Sequence, residues 1–172
     1  MRAMQRVLVI GAGGAGKSTF AVRLGQRTGL PVVHLDREYW QPGWVEPAPA
    51  TWAATVERLV GAERWILDGN FGGSLDRRLD ACDTVVFLDM PRWSCLSRVV
   101  KRRLRHPGRA RADMTPGCNE RLSFDFLWWI WTYPKRRRPH VLRRLQQLRA
   151  DQMAVVLRSD AEVESFLDSG RA

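Results

Sequence analysis

The run GAGGAGKST, Gly11 to Thr19, sets a lysine and two hydroxyls directly behind a string of glycines. Glycines expose backbone N–H groups with no Cβ in the way, while a lysine and a hydroxyl add a cation and a metal ligand. That combination suits a polyphosphate. Two patterns overlap in it. Read as G-x-G-x-x-G it is a dinucleotide fingerprint, and Asp36, closing an apolar run further along, stands where a ribose-binding acid would. Read as G-x-x-x-x-G-K-S it is a nucleoside triphosphate loop. Lys17 and Ser18 decide for the second, because a dinucleotide has no use for them. The expectation is an ATP loop in which Gly11, Ala12, Gly13, Gly14, Ala15, Gly16, Lys17, Ser18 and Thr19 wrap the phosphates. Lys17 reaches the β and γ oxygens and Ser18 ligates Mg2+.

Such a loop needs a carboxylate near its metal, at the end of a neighbouring strand. Asp36, Asp68 and Asp89 each close an apolar run, in PVVHLD, WILD and VVFLD. In a parallel sheet all three lie at the carboxyl edge that also carries the loop, where such sheets bind ligands. Asp36 and Asp68 are favoured, with Asp68 beside Ser18 as the metal carboxylate.

The elements that must position these groups follow from periodicity. RVLVI is a buried strand before the loop, and the segment from Lys17 is a helix stopped by Gly29. PVVHLD (31–36) is a second strand, and REYWQPGWVEPAP a loop or hairpin-like excursion. TWAATVERLVGAE is a helix that Thr51 would cap. RWILDGN is a third strand, SLDRRLDAC a short helix and DTVVFLDMP a fourth strand. A basic helix runs from about Arg92 to Arg105, an aromatic helix ends at Pro134, and helix resumes beyond Pro139. QMAVVL is a fifth strand, and a last helix opens with the S-x-x-E box of Ser159 and Glu162. Strands alternating with helices imply an α/β three-layer sandwich on a parallel five-stranded sheet.

The chain has 172 residues, of which 45% are hydrophobic, enough for one domain over 1–172. No apolar run is long enough to span a membrane, and the N-terminal apolar run leads into the glycine loop, as a strand does and a signal peptide does not. Cys82, Cys95 and Cys118 form no C-x-x-C pair and fit a reducing, cytoplasmic setting. The net charge is +10, and residues 98–149 hold 15 Lys and Arg against three Asp and Glu. Such a block attracts polyanions: nucleotide phosphates, nucleic acid or anionic lipid. Trp128, Trp129 and Trp131 read as helix-packing residues, and His106 and His140 have no ligand-like spacing.

With these motifs the chain resembles the P-loop small-molecule and nucleotide kinases, the adenylate and shikimate kinase group, over nearly its whole length. L-D-G recurs at Leu67-Asp68-Gly69, but the F-P-R that follows it in nucleotide kinases is Asn70-Phe71-Gly72, which argues against a nucleoside monophosphate acceptor. Asp89-Met90-Pro91 followed by Arg98 to Arg103 also matches. More closely, HLDREYWQPGW, WILDGNFGG, FLDMPRW, the stretch from Met114 to Arg121 and WTYPKRRRP resemble bacterial DNA topology modulation proteins.

The resemblance implies sheet order 2-3-1-4-5 and transfer of the γ-phosphoryl group of Mg2+-ATP to a small acceptor. His34 and Asp36 match the place where shikimate-like kinases hold an acceptor hydroxyl, joined by Trp40, Asp68 and Asn70. Trp44 and Phe71 are further walls for that pocket. Arg98 and Arg102, one helical turn apart, match catalytic family positions. Residues 105–117 would form a lid bringing Arg109 and Arg111 to ATP, with Arg136 to Arg138 approaching from the other side. The rival expectation is a nucleic-acid-associated ATPase whose basic block grips a phosphate backbone.

Overall fold

The structure, a computed structural model, describes residues 4–105, 114–118 and 123–169. RVLVIG is apolar on both faces, which suits a strand covered by helices on either side. It forms β1 (Arg6–Gly11) at the centre of the sheet. The other strands are β2 (Val32–His34), β3 (Trp65–Asp68), β4 (Thr84–Leu88) and β5 (Met153–Leu157). They run parallel in the order β2-β3-β1-β4-β5, as the resemblance implies. Eight helices accompany them among the described residues: α1 (Lys17–Thr28), α2 (Leu35–Tyr39), α3 (Pro49–Val60), α4 (Leu75–Ala81), α5 (Arg92–Arg105), α6 (Phe124–Arg136), α7 (Arg138–Gln146) and α8 (Asp160–Asp168). The core is the buried side chains of β1, β3 and β4, closed by Phe20 and Leu24 of α1 and Ile130 of α6. Among the described residues no helix is long and apolar enough to cross a membrane.

Three boundaries differ from expectation. β2 stops at His34, so Asp36 lies in the first turn of α2. Turning helical there buries Leu35 completely beneath Gly69. Thr51 caps nothing: α3 starts at Pro49, whose fixed φ suits a first turn. Pro134 does not end α6, which continues to Arg136. The buried Ile130 and Tyr133 hold that last turn against the core, and Pro139 then enters the first turn of α7. The box opening α8 forms in part. Ser159 Oγ accepts from Glu162 N at 3.2 Å, but the Glu162 carboxylate accepts from Arg158 N at 2.9 Å, one residue before the position the box assigns it. The excursion after α2 is hairpin-like, closed by an antiparallel bridge between Gln41 and Val45.

Candidate active site

β1 runs into the glycine loop, and the loop runs into the N-terminus of α1, whose first N–H groups have no partners within the helix. Gly14 has φ 79°, and a Cβ there would come within 2.3 Å of the Cys95 carbonyl oxygen on α5. At Gly13 a Cβ would stand 2.7 Å from the ring of Phe126 on α6. The loop thus lies tight against two helices that follow it by many residues. Lys17 Nζ donates to the Ala12 carbonyl at 3.0 Å, which draws the ammonium over the loop. Ala12 and Ala15 are buried, while Thr19 is exposed on the outer side of the first turn.

A cavity of about 510 Å³ opens beside the loop. Gly13, Gly14, Lys17 and Ser18 line one side of it, and Asp36, Asp68 and Asn70 also line it. Trp40, Trp44 and Phe71 contribute rings to it, as do Phe126 and Trp129 of α6, and Arg102 of α5 reaches it. Of the expected site residues, the fold therefore gathers Lys17, Ser18, Asp36, Trp40, Asp68, Asn70 and Arg102 on one cavity. His34 is not among the lining side chains. Its Nδ1 lies 3.1 Å from Asp68 Oδ2, an ion-pair distance outside hydrogen-bond geometry. Register explains the pairing, since His34 and Asp68 are partners across β2 and β3.

Arg98 lies behind the loop: Nη1 donates to the Ala15 carbonyl at 3.3 Å, and Nη2 meets both Asp160 oxygens at 2.7 Å. Asp89 is not on the cavity. Arg138 grips it through Nε at 2.7 Å and Nη2 at 2.9 Å, and this raises the Arg138 pKa. That pair commits Arg138, while Arg137 borders a second cavity together with Phe71 and Trp129. Arg109 and Arg111, with most of the expected lid, lie outside the described residues. The lid's end does not. Thr115 Oγ1 donates to the Trp40 carbonyl at 2.6 Å, Cys118 Sγ to the Gln41 carbonyl at 3.1 Å, and Met114 lines the cavity. Residues 114–118 are thereby fastened to the excursion after α2.

The tryptophans of α6 divide. Trp129 lines the cavity, Trp131 lies under Arg92 and against Trp93, and Trp128 is half exposed, so it is not a packing residue.

The residue that sequence reasoning missed altogether is Arg78. It is fully buried, and among the described residues no carboxylate meets it. Its guanidinium donates to the carbonyls of Gly69 at 2.9 Å, Phe71 at 3.0 Å, Ser74 at 3.3 Å and Asn70. Burial lowers its pKa to about 10, so it keeps its charge at neutral pH. These bonds hold the turn after β3 in a shape that sends Asn70 Oδ1 to accept from Gly11 N at 3.2 Å. Phe71, strained at φ 31°, is set against Tyr39 and Trp52. A signal was present: Arg78 falls on the apolar stripe of Leu75, Leu79 and Cys82.

A family model described as isopentenyl transferase matches residues 4–71, from β1 to the turn after β3. No curated protein matches the chain. Solved structures match over nearly all of it. The shikimate kinase from Acinetobacter baumannii in complex with shikimate aligns with TM-score 0.59 at 15% identity, over 96% of this chain and 90% of that one. The shikimate kinase from Bacteroides thetaiotaomicron aligns at 0.56 and 16%, over 97% and 96%. A gluconokinase from Sinorhizobium meliloti 1021 aligns at 0.55 and 17%, over 99% and 93%. The fold is that of the P-loop kinases.

Proposed function

We propose that the chain is a kinase moving the γ-phosphoryl group of Mg2+-ATP to a hydroxyl of a small acceptor. The observation that carries this reading is the shared cavity, with Lys17 and Ser18 bordering it together with Asp36 and Asp68. The acceptor hydroxyl attacks the γ phosphorus and its proton passes to Asp36. The bond from phosphorus to the β–γ bridging oxygen breaks, and ADP leaves with the electron pair. Lys17 holds the β and γ oxygens, Arg102 meets charge building on the transferred group, and Arg98 steadies the loop from behind. His34 stands at ion-pair distance from Asp68.

Ser18 with Asp68 is a hard-oxygen donor set of the kind Mg2+ takes beside phosphates while keeping several waters. Bound there, the ion supplies neutralisation of the phosphate charge. Gly13 and Gly14, where a Cβ would strike Phe126 and the Cys95 carbonyl, let the loop close against α6 and α5, and a glycine loop leading into a helix N-terminus suits a triphosphate. In the same reading 1–172 is one domain, and 105–117, with Arg109 and Arg111, is its lid over ATP.

The test is ADP release across a panel of hydroxyl acceptors. Lys17→Ala should stay folded and lose ~100-fold or more in transfer, as removal of a preorganised charge donor does. Full transfer in that folded variant would defeat the reading.

A second reading, a nucleic-acid-associated ATPase, draws on one surface. Trp93, Phe124 and Trp128 are exposed, and the Arg92 guanidinium lies 4.0 Å over the Trp131 ring. Exposed rings among cations suit stacked bases. It requires hydrolysis stimulated by DNA and suppressed steeply by salt.

A further inference from the structure

We infer that the acceptor is a flat ring-bearing alcohol, aromatic or heteroaromatic, and not a polyol. The inference rests on the kinase reading and adds the substrate class. Four rings carry it. Trp40 follows α2, Phe71 follows β3, and Phe126 and Trp129 come from α6; all four line the cavity that holds Asp36. Phe126 and Trp129 lie nearly parallel, 6.2 Å apart at 10°, because a spacing of three brings both to one face of the helix.

The other two rings are held by further rings. Trp40 meets Tyr39 at 4.9 Å and Trp44 at 5.2 Å, and Phe71 meets Tyr39 at 4.6 Å. Rings fixed in this way offer stacking surface without having to be ordered on binding.

The polar groups point the same way. A polyol must recover a hydrogen bond for each hydroxyl it takes out of water. Two of the groups best placed to provide them are already committed: Asn70 Oδ1 accepts from Gly11 N at 3.2 Å, and Asp68 serves the metal in the kinase reading. Asp36 serves the one hydroxyl that reacts. A flat ring needs only the faces that Trp40, Phe71, Phe126 and Trp129 provide. Trp40, Phe71 and Trp129 also border a second cavity of about 650 Å³, which leaves room for ring substituents.

The transfer conserves atoms as written above: the ring alcohol's oxygen gains the phosphoryl group, its proton goes to Asp36, and ADP departs. The test uses the full chain with Mg2+-ATP and two sets of probes, benzyl alcohol and 4-(hydroxymethyl)pyridine against shikimate and gluconate. ADP release and quenching of tryptophan fluorescence are both read. KM for the ring alcohols should lie ~10-fold or more below that for the polyols. Trp129→Ala should raise it ~10-fold at little change in kcat, the loss expected for one stacking platform, and Trp129→Phe should restore it.

Turnover of the polyols with a KM indifferent to Trp129→Ala overturns the inference and leaves the kinase reading intact. Trp129-dependent quenching by ring alcohols without ADP release from any probe supports the ring site and overturns the kinase reading. Ring alcohols that neither bind nor turn over overturn the inference.

Discussion

Among the described residues Arg78 faces carbonyl oxygens only, an unusual setting for a buried cation. Removing it strands several acceptors, each costing ~1–3 kcal/mol when left unsatisfied, so Arg78→Met should lower the urea midpoint sharply. Arg78→Lys keeps the charge but lacks the planar fork that serves several carbonyls at once. It should fold and raise the acceptor KM more than the ATP KM, because the turn it supports carries Asn70 and Phe71. Equal changes in both constants would mean that the turn does not belong to the acceptor side. Asp36→Asn is expected to bind ATP normally, as followed by titration calorimetry, and to lose transfer.

Lys17 and Ser18 were legible from the loop motif and Asp68 from a strand end, while Asp36, expected at a strand end, reaches the cavity from the first turn of α2. Phe126 and Trp129 were not legible, since only the packing of α6 over the loop turns those two rings, and not Trp128, toward the cavity.

The parallel sheet could be read from the sequence pattern and its strand order from the resemblance to the P-loop kinases, while the ends of the strands could not. Alternating apolar runs and helical periods imply a parallel sheet whatever the details, but the last residue of an element depends on what must be buried beside it. Leu35 and Tyr133 decided that at β2 and α6. The junction of α4 and β4 shows the same dependence in a titratable group. Burial first, and then the neighbouring Asp83, push the Cys82 thiol from an ordinary 9.0 up to about 12. A raised pKa means that the native state holds its proton more tightly than the unfolded chain does. The contribution is therefore whole below pH 9 and lost as pH climbs toward 12. Urea midpoints should fall across that window, and less steeply in Cys82→Ala. Parallel curves for the two proteins would show that Cys82 is not the group responsible.

Across the whole molecule, the basic block is less bare than its composition suggests. Arg98, Arg138, Arg144 and Arg149 pair with Asp160, Asp89, Asp76 and Asp151, all of them outside residues 98–149. A count along the chain cannot see acids that folding brings in from elsewhere. The helix α8 is tied down in the same manner, by Arg23 to Glu164 and Arg27 to Asp168 as well as Arg98 to Asp160. Exposed pairs of this kind add little to stability because water screens them, so Asp160→Asn should barely move the melting temperature. It frees a guanidinium beside the loop, and ATP affinity should rise by ~2–5-fold, an effect that added salt erases. Unchanged affinity at low salt would place Arg98 outside the nucleotide site.

Gly13 and Phe126 make the glycine loop and the ring-lined cavity inseparable as parts. A loop transplanted from another protein of this fold with any side chain at position 13 would push the Phe126 ring off its seat, and that ring borders the cavity. Swapping the loop to change what it holds would then reshape the cavity too. Modular redesign of this protein has to treat positions 13 and 126 as a single choice.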